Sequence, residues 1–276
     1  MALYTCNELL RPARKQGVGV AAINLANYET AAALFEAAEQ TGLPLIVQMY
    51  SRMFGNGKAE AIIPMLRKMA EKCSSPIAVH LDHGTSFEQA KAAVEWGCTS
   101  VMFDGSNLPM KENIRITKEV VKFARKAGVS TEAEIGHVAM GDEGHLTVPE
   151  EALRFVEETG VDALAIAIGT AHGYYKETPK LDVERCKAIA DVLPGLPLVL
   201  HGGTGTPLAD VRKVIRCGIA KINVATEYQD CFLKATRAEL EKLDGKFMPV
   251  DRFMDPVREK CVEHAARLMR AFALQA

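Results

Sequence analysis

The chain lacks the charge patterns that are typical of nucleic-acid-binding and membrane-binding proteins. Its 276 residues carry 33 basic and 35 acidic side chains, interspersed without a basic stripe or a polybasic cluster. The first residues have no signal-peptide apolar core, and no apolar run approaches the roughly 20 residues that cross a bilayer. We therefore expect a protein that binds neither nucleic acid nor membrane.

The chain also lacks cysteine pairs with the spacing of zinc fingers or of redox-active motifs. The 7 cysteines are odd in number, and no two of them form a CxxC motif. Most of them fall in segments with helical periodicity. Reduced, buried thiols fit this pattern better than a disulfide framework, so we expect a cytoplasmic protein.

Eight short apolar runs, rich in β-branched residues, recur along the chain. They read GVGVAAINL, PLIVQMY, PIAVHLD, SVMFD, STEAEIG, ALAIAIG, PLVLHGG and AKINVAT. The segments between them have helical spacing and mostly end on a glycine such as Gly42 or Gly160, where the absence of Cβ permits a left-handed turn. Strand and helix patterns alternate with a period of roughly 30 residues, which is about the length of one βα unit. This repetition predicts an α/β fold of the TIM (β/α)8 barrel type.

The sequence also indicates the type of sheet and the number of domains. A doubly wound open sheet is the competing architecture, but no GxGxxG follows the first strand. No linker divides the chain, which predicts a single domain over residues 1–276, with 243–276 as a C-terminal helical extension. That extension either covers the barrel or packs against another subunit.

Histidines follow three of the apolar runs. Asp82 and His83 end the third run, His172 follows the sixth and His201 ends the seventh. In a parallel barrel these carboxyl ends open onto one face, so residues distant in sequence meet around one pocket. Three neutral imidazoles with an open fourth position suit a catalytic Zn²⁺. This metal-site prediction depends on the fold, because the spacing matches no local zinc motif.

Carboxylates accompany the histidines at the same strand ends. Asp82 either transfers protons to a substrate oxygen or orients a histidine N–H. Glu134 and Asp104 are alternative metal ligands or partners of the ligands. Glu132 shares a strand face with Glu134, and an unpaired buried charge is costly. The carboxylate pair therefore indicates a functional site rather than packing.

Two segments with small polar residues follow the last two runs. Residues 201–205 (HGGTG) precede a helix that begins near Pro207, and residues 223–226 (NVAT) precede another. Glycine N–H groups and a helix amino terminus in these loops of a barrel commonly cradle phosphate. Combined with the histidines, they predict a phosphorylated carbonyl compound as the substrate, held through its phosphate and a metal.

Five motifs in fixed order carry a family resemblance. VHLDHG, EAEIG, AIGTAHG, LVLHGGTG and KINVATE resemble the class II, zinc-dependent ketose-bisphosphate aldolases, which include the fructose- and tagatose-1,6-bisphosphate enzymes. The resemblance implies a (β/α)8 barrel that forms a homodimer or homotetramer. It also implies reversible cleavage of a ketose 1-phosphate or 1,6-bisphosphate into dihydroxyacetone phosphate and an aldehyde, through a zinc-stabilised enediolate. A monovalent cation often binds near the phosphate loops of this family.

The resemblance also assigns roles by position. His83, His172 and His201 match the catalytic zinc ligands, and Glu134 and Asp104 match a secondary metal location. The acid/base that acts on the aldehyde-derived oxygen corresponds to Asp82. The contacts to dihydroxyacetone phosphate correspond to Gly173, Gly202, Gly203, Thr204, Asn223, Val224, Ala225 and Thr226.

Asn223 has a second role in this interpretation. Its amide can donate a hydrogen bond to the developing oxyanion of the enediolate, where the interaction is strongest.

The loop after EAEIG departs from the family pattern. Ala139 and Met140 replace two customary glycines. Asp142 replaces the glutamate that exchanges the proton on the dihydroxyacetone phosphate carbon, and Glu143 lies beside it. Either carboxylate can serve.

Three further departures concern the far end of the substrate. Tyr50, Ser51 and Arg52 stand where the family often has a small hydroxyl residue near the second phosphate. Arg252 is only an approximate counterpart of a C-terminal arginine, and Ala225 replaces an aspartate of several fructose enzymes. The alternative is therefore an aldolase of this family that acts on a different anionic sugar.

Three rival functions use the same residues differently. Lys221 could form an imine in a Schiff-base aldolase, or it is a core lysine paired with a carboxylate. A metal-dependent hydrolase would show HxH on the first strand, which reads GVAAINL here. A non-catalytic sugar-phosphate binder is the third possibility, suggested by the altered loop.

Overall fold

The eight apolar runs form one closed barrel. The computed structural model describes residues 3–136, 145–170, 173 and 179–275. Every strand pairs in parallel with the next, and β1 pairs with β8, which closes the sheet. The strands are β1 Val20–Asn24, β2 Leu45–Tyr50, β3 Ile77–Gly84, β4 Ser100–Phe103, β5 Ser130–Ile135, β6 Ala163–Ile166, β7 Leu198–Leu200 and β8 Ile219–Val224. The predicted (β/α)8 barrel is confirmed.

Helices precede, separate and follow these strands. They are α1 Cys6–Gln16, α2 Tyr28–Thr41, α3 Lys58–Lys72, α4 Phe87–Trp96, α5 Met110–Lys126, α6 Pro149–Thr159, α7 Val183–Val192, α8 Leu208–Cys217, α9 Thr226–Leu243 and α10 Val250–Phe272. Several ends are set by local chemistry. The Asn27 side chain accepts from the Thr30 N–H at the start of α2, and Gly42 ends that helix with a φ of 66°. Within the described residues, no helix has both the length and the apolar character needed to span a bilayer.

The apolar core has two layers. The larger layer lies between the outward faces of the strands and the surrounding helices. The smaller layer fills the amino-terminal end of the barrel, where Leu9, Leu10 and Ala13 of α1 pack against Ile46 and other inward residues. α1 therefore closes this end of the barrel and leaves the carboxyl ends of the strands as the open face.

The last two helices, α9 and α10, have different environments. α10 buries ten residues, including Cys261, Ala265, Leu268 and Met269, and it packs against α2 and β1. α9 buries only Tyr228 among its 18 residues. The final helix is therefore part of the barrel wall, and α9 packs on α10 with most of its side chains partly or fully exposed.

Candidate active site at the carboxyl ends of the strands

Asp82, near the end of β3, lies at the centre of the open face. Its Oδ2 accepts a hydrogen bond of 2.7 Å from Asn24 Nδ2, and its Oδ1 accepts one of 3.1 Å from Asn223 Nδ2. Burial alone would raise the pKa of this carboxyl group, but the nearby His83 and His201 outweigh burial and lower it. Asp82 is therefore a buried, ionised base.

His83 follows Asp82 in a strained backbone conformation. Its φ of 52° is unusual for a residue with a Cβ, and the pairing of β3 with β4 is irregular between Leu81 and Gly84. This bulge turns the imidazole toward Asp104 after β4, whose Oδ2 lies 2.7 Å from Nδ1. Burial would lower the pKa of His83, but Asp82 and the other neighbouring carboxylates raise it.

Asp104 is itself held by the following turn. Its Oδ1 accepts hydrogen bonds from the backbone N–H of Ser106 at 3.1 Å and from the Ser106 hydroxyl at 2.7 Å. Burial opposes ionisation, but the bond to His83 and these two donors outweigh it and lower the pKa of Asp104. Asp104 thus orients the His83 ring.

His201, directly after β7, lies between two carboxylates of β5. Its Nε2 is 3.1 Å from Glu132 Oε1, and its Nδ1 is 3.1 Å from Glu134 Oε2. The centroids of the His201 and His83 rings are 4.6 Å apart. Burial disfavours the imidazolium, but Glu134 and Glu132 outweigh it and raise the pKa of His201 to about 10.

These side chains meet the geometric requirement for a metal. One ligand atom from each of Asp82, His83 and His201 lies within 4.8 Å of the others, and the same holds for His83, Asp104 and Glu134. Nitrogen and oxygen ligands about 2 Å from a tetrahedral Zn²⁺ lie roughly 3.3 Å from one another. The donor types therefore fit zinc, and the ligand atoms would have to come closer together to reach this spacing. The third predicted ligand, His172, lies outside the described residues, as do Asp142 and Glu143.

A cleft opens beside this donor cluster. It contains about 330 Å³ of space not filled by atoms, part of it open to solvent. Its lining consists of Asn24, Tyr50, Asp82, His83, Gly173, Gly202, Thr204, Asn223, Ala225 and Thr226. α9 begins at Thr226, so a helix amino terminus faces the cleft.

Two predicted substrate contacts lie behind this lining. The Gly203 N–H donates to the carbonyl of Asn223 at 3.0 Å, and a Cβ on Gly203 would lie 2.7 Å from that oxygen. Val224 is fully buried. Gly203 therefore couples the two loops, and its lack of a side chain lets them approach.

The cleft is also lined by Tyr50, and Arg52 packs on the ring of Tyr50. The Tyr50 ring is stacked 6.5 Å from the His83 ring, and the Arg52 guanidinium carbon lies 4.0 Å from the centroid of Tyr50. Burial, with a smaller contribution from Asp82, raises the pKa of Tyr50 and keeps its hydroxyl neutral. An aromatic ring thus borders the cleft, and a cation packs against that ring.

Sequence reasoning missed the supports of Asp82 on β1 and β2. Gln48 Nε2 donates to Asn24 Oδ1 at 3.1 Å, and Asn24 in turn donates to Asp82. Both residues interrupt apolar strand runs, INL and VQM, near the carboxyl ends. A buried amide within such a run was the signal available.

Asp82, Glu134 and Asn223 belong to an upper polar layer at the carboxyl ends of the strands. The inward residues two positions before them, His80, Glu132 and Lys221, form a lower polar layer. Lys221 Nζ lies 2.7 Å from Glu132 Oε2 and 3.2 Å from His80 Nε2. His80 Nδ1 in turn lies 2.9 Å from the hydroxyl of Ser100. Burial and Lys221 together lower the pKa of His80 to about 3, so this histidine is neutral. The geometry agrees with the interpretation of Lys221 as a core lysine paired with a carboxylate.

The fold and the site together define a (β/α)8 barrel whose open face combines a metal-type donor cluster with a glycine-lined cleft. The model of the class II fructose-bisphosphate aldolase family matches residues 4–275. The chain belongs to this family of aldolases, which are lyases of carbohydrate metabolism.

Individual relatives match over nearly their whole length. A fructose-bisphosphate aldolase of Staphylococcus aureus is 39% identical over 285 residues, covering 99% of this chain and 98% of the relative. The crystal structure of the YdjI aldolase from Escherichia coli K12 has 34% sequence identity and a TM-score of 0.87, covering 98% of this chain and 97% of that one.

Proposed function

We propose that the protein reversibly cleaves a ketose 1-phosphate or 1,6-bisphosphate of the fructose or tagatose type into dihydroxyacetone phosphate and an aldehyde. The observation that carries this proposal is the buried carboxyl group of Asp82, fixed by two asparagine amides next to the donor cluster of His83 and His201. A base beside a metal-type site suits proton removal from a hydroxyl that becomes a carbonyl.

The proposed cofactor is Zn²⁺, held by His83, His201 and His172, with Glu134 and Asp104 as a secondary location. Bound there, the ion would act as a Lewis acid on the ketose carbonyl and its neighbouring hydroxyl. A monovalent cation near the phosphate loops belongs to the same proposal.

Asp82 performs the proton transfer in the cleavage direction. Its carboxylate accepts the proton of the hydroxyl on the carbon beside the bond that breaks. That carbon becomes the aldehyde carbonyl, and the electron pair of the broken bond passes to the dihydroxyacetone phosphate half as an enediolate. The Asn223 amide carries two N–H groups, one of which is bonded to Asp82, so the other can stabilise the developing oxyanion. Asp142 or Glu143 then returns a proton to the carbon.

The glycine loops hold the phosphate in this proposal. Gly202, Thr204, Ala225 and Thr226 border the cleft beside the start of α9. Backbone N–H groups at a helix amino terminus carry partial positive charge and suit a phosphate. Gly203 and Val224 would contribute through the position of these loops, and Gly173 from the loop after β6.

A second candidate is an aldolase of this family whose aldehyde carries an anionic group other than phosphate. The observation that favours it is the exposed Arg52, whose guanidinium packs on the ring of Tyr50, a residue that lines the cleft. A guanidinium binds a carboxylate or a phosphate in a bidentate manner. The two candidates differ only in the second product.

The assembly is proposed to be a homodimer or homotetramer. α9 and the following segment expose large apolar side chains, with Leu233 64%, Leu240 57% and Phe247 89% exposed. Exposed apolar surface of this kind suits a second copy of the chain. Light scattering should give a multiple of the chain mass, and Phe247→Glu should shift it toward the monomer. The free cysteines support a reducing, cytoplasmic environment.

One experiment tests the function directly. Zinc-loaded protein is incubated with dihydroxyacetone phosphate and a panel of phosphorylated, carboxylated and neutral aldehydes, and the products are identified. We expect condensation that is abolished by EDTA but not by borohydride. Inactivation by borohydride in the presence of substrate would instead favour an imine at Lys221. Protein that retains dihydroxyacetone phosphate without exchanging its carbon-bound proton would be a binder.

A further inference from the structure

Three buried side chains form a line that begins in the donor cluster at His201 and leads into the barrel. Lys221 of β8 lies 2.7 Å from Glu132 Oε2, and Glu132 Oε1 lies 3.1 Å from His201 Nε2. The Lys221 and His201 side chains are 0% exposed and that of Glu132 is 2% exposed. The line therefore runs through a part of the barrel that water does not screen.

The order of charges in this line decides which nitrogen of His201 keeps its proton. The ammonium of Lys221 has only donors, and an ionised carboxylate has only acceptors. Glu132 is thus oriented by Lys221 and can only accept from His201, which must place a proton on Nε2. The other ring nitrogen, Nδ1, faces Glu134 at 3.1 Å, on the side of the donor cluster.

We propose that Glu132 and Lys221 are positioning residues that keep the proton of His201 on Nε2, so that Nδ1 presents its lone pair to the metal. The inference rests on the proposed metal-dependent function. It also gives Lys221 a role that needs no covalent chemistry with the substrate. A carboxylate behind a histidine ligand fixes both the ring orientation and the tautomer.

Other contacts of the line support the assignment. Lys221 also donates to His80 Nε2 at 3.2 Å, and His80 Nδ1 then donates to the Ser100 hydroxyl at 2.9 Å. Each member of the lower layer therefore has one defined donor or acceptor role. His201 lies at the end of this series of hydrogen bonds, and its ring is oriented by the contact with Glu132.

The substitution Glu132→Gln separates positioning from packing because the amide has nearly the same shape. Its carbonyl must face the Lys221 ammonium, so its NH₂ group faces His201 Nε2. His201 Nε2 then accepts a hydrogen bond, and the ring proton moves to Nδ1, the nitrogen proposed to bind the metal. We expect zinc affinity to fall about 10- to 100-fold. In zinc-loaded protein with ¹⁵N-labelled histidine, the Nδ1 signal should lose its metal-bound shift.

The double variant Glu132→Gln/Lys221→Met provides the decisive comparison. Without the ammonium, the carbonyl of the introduced glutamine amide can turn to His201 and restore the proton on Nε2. The double variant should therefore bind zinc more tightly than the single one, and its Nδ1 signal should return to the metal-bound position. A purely structural role for the ion pair predicts the opposite order. Ser100→Ala is the control, because it removes a buried hydrogen bond of His80 and leaves the contacts from Lys221 to Glu132 and from Glu132 to His201 in place.

The outcomes are distinguishable from failure of the proposed function. If the parent protein binds zinc through His201 but Glu132→Gln binds it equally well through Nδ1, the positioning inference is wrong and the function stands. The same conclusion follows if the double variant binds no better than the single one. If the parent protein binds no zinc at His201, the proposed metal-dependent function is wrong.

Discussion

The two oxygens of Asp82 accept hydrogen bonds from different strands, from Asn24 of β1 at 2.7 Å and from Asn223 of β8 at 3.1 Å. Strand β3, which carries Asp82, is separated from β1 by β2, and Gln48 of β2 supports Asn24 at 3.1 Å. The base is thus held by side chains of two neighbouring strands, β1 and β8, neither of which pairs with β3. The two amides fix the position of the carboxyl group, and the nearby His83 and His201 lower its pKa against the effect of burial.

The first prediction concerns Asp82→Ala. The substitution should reduce carbon–carbon cleavage by about 10² to 10⁴-fold, because general base catalysis contributes in that range. Exchange of the dihydroxyacetone phosphate proton should persist, since it depends on the carboxylate of a different loop. Cleavage is measured by product formation and exchange by NMR in D₂O. Normal cleavage by the variant would refute the assigned role.

The second prediction concerns the metal ligands. His83→Ala, His172→Ala and His201→Ala should each lose bound zinc together with activity, because each removes one of three proposed ligands. Metal content after dialysis is measured by mass spectrometry. His264→Ala is the matched control, since this histidine of α10 pairs with Glu227 on the outside of the barrel. Full zinc content in any of the three variants would remove that residue from the ligand set.

The third prediction concerns pH. The pKa of His201 is raised to about 10, so the metal-free protein keeps a proton on Nδ1 at neutral pH that zinc must displace. Apparent zinc affinity should therefore rise by about tenfold per pH unit between about pH 6.5 and about pH 9. Calorimetry in buffers of different ionisation enthalpy measures the released proton. Affinity that is constant over this range would contradict the prediction.

The same shift affects the stability of the metal-free protein. The folded pKa of His201 lies above its unfolded value of about 6.5. Its contribution to the free energy of unfolding is fully present below about 6.5 and is lost as the pH rises through about 10.

The fourth prediction concerns the far end of the substrate. Arg52→Gln should raise KM for an aldehyde with an anionic group about 10-fold, the effect of one charge-assisted contact of about 1.4 kcal/mol, and leave KM for a neutral aldehyde nearly unchanged. Arg115→Gln on α5 is the control, because this exposed arginine pairs with Glu112 and Glu119 outside the site. An equal change in KM for both aldehydes would show that Arg52 does not bind the anionic group.

The fifth prediction concerns Gly203→Ala. The new Cβ would lie 2.7 Å from the carbonyl oxygen of Asn223 and 2.9 Å from Ile222. The loops after β7 and β8 must separate, which should cost about 1 to 3 kcal/mol of stability and weaken dihydroxyacetone phosphate binding. Gly55→Ala is the control because nothing lies within 4 Å of its Cβ position. Thermal unfolding and ligand titration measure the two effects, and an unchanged variant would refute the steric argument.

The barrel and most of the upper polar layer were predictable from the sequence. Strand periodicity and the glycines at helix ends are local properties, so eight βα units could be recognised without knowledge of contacts. Once the barrel is assumed, the carboxyl end of each strand identifies Asp82, His83, His201 and Asn223 as neighbours. The supports of these residues could not be recognised in the same way, because hydrogen-bond partners such as Asn24 and Asp82 are 58 residues apart.

The amino-acid order alone determined which residues alternate inward and outward, and therefore which strand ends carry the imidazoles and carboxylates. Only the tertiary structure decided that α1 closes one end of the barrel, that α10 rather than α9 completes its wall, and that Glu132 connects Lys221 to His201. The physical reason is that periodicity records burial one strand at a time. Which buried groups pair across the barrel depends on strand register and closure, and these arise only when all eight strands are assembled.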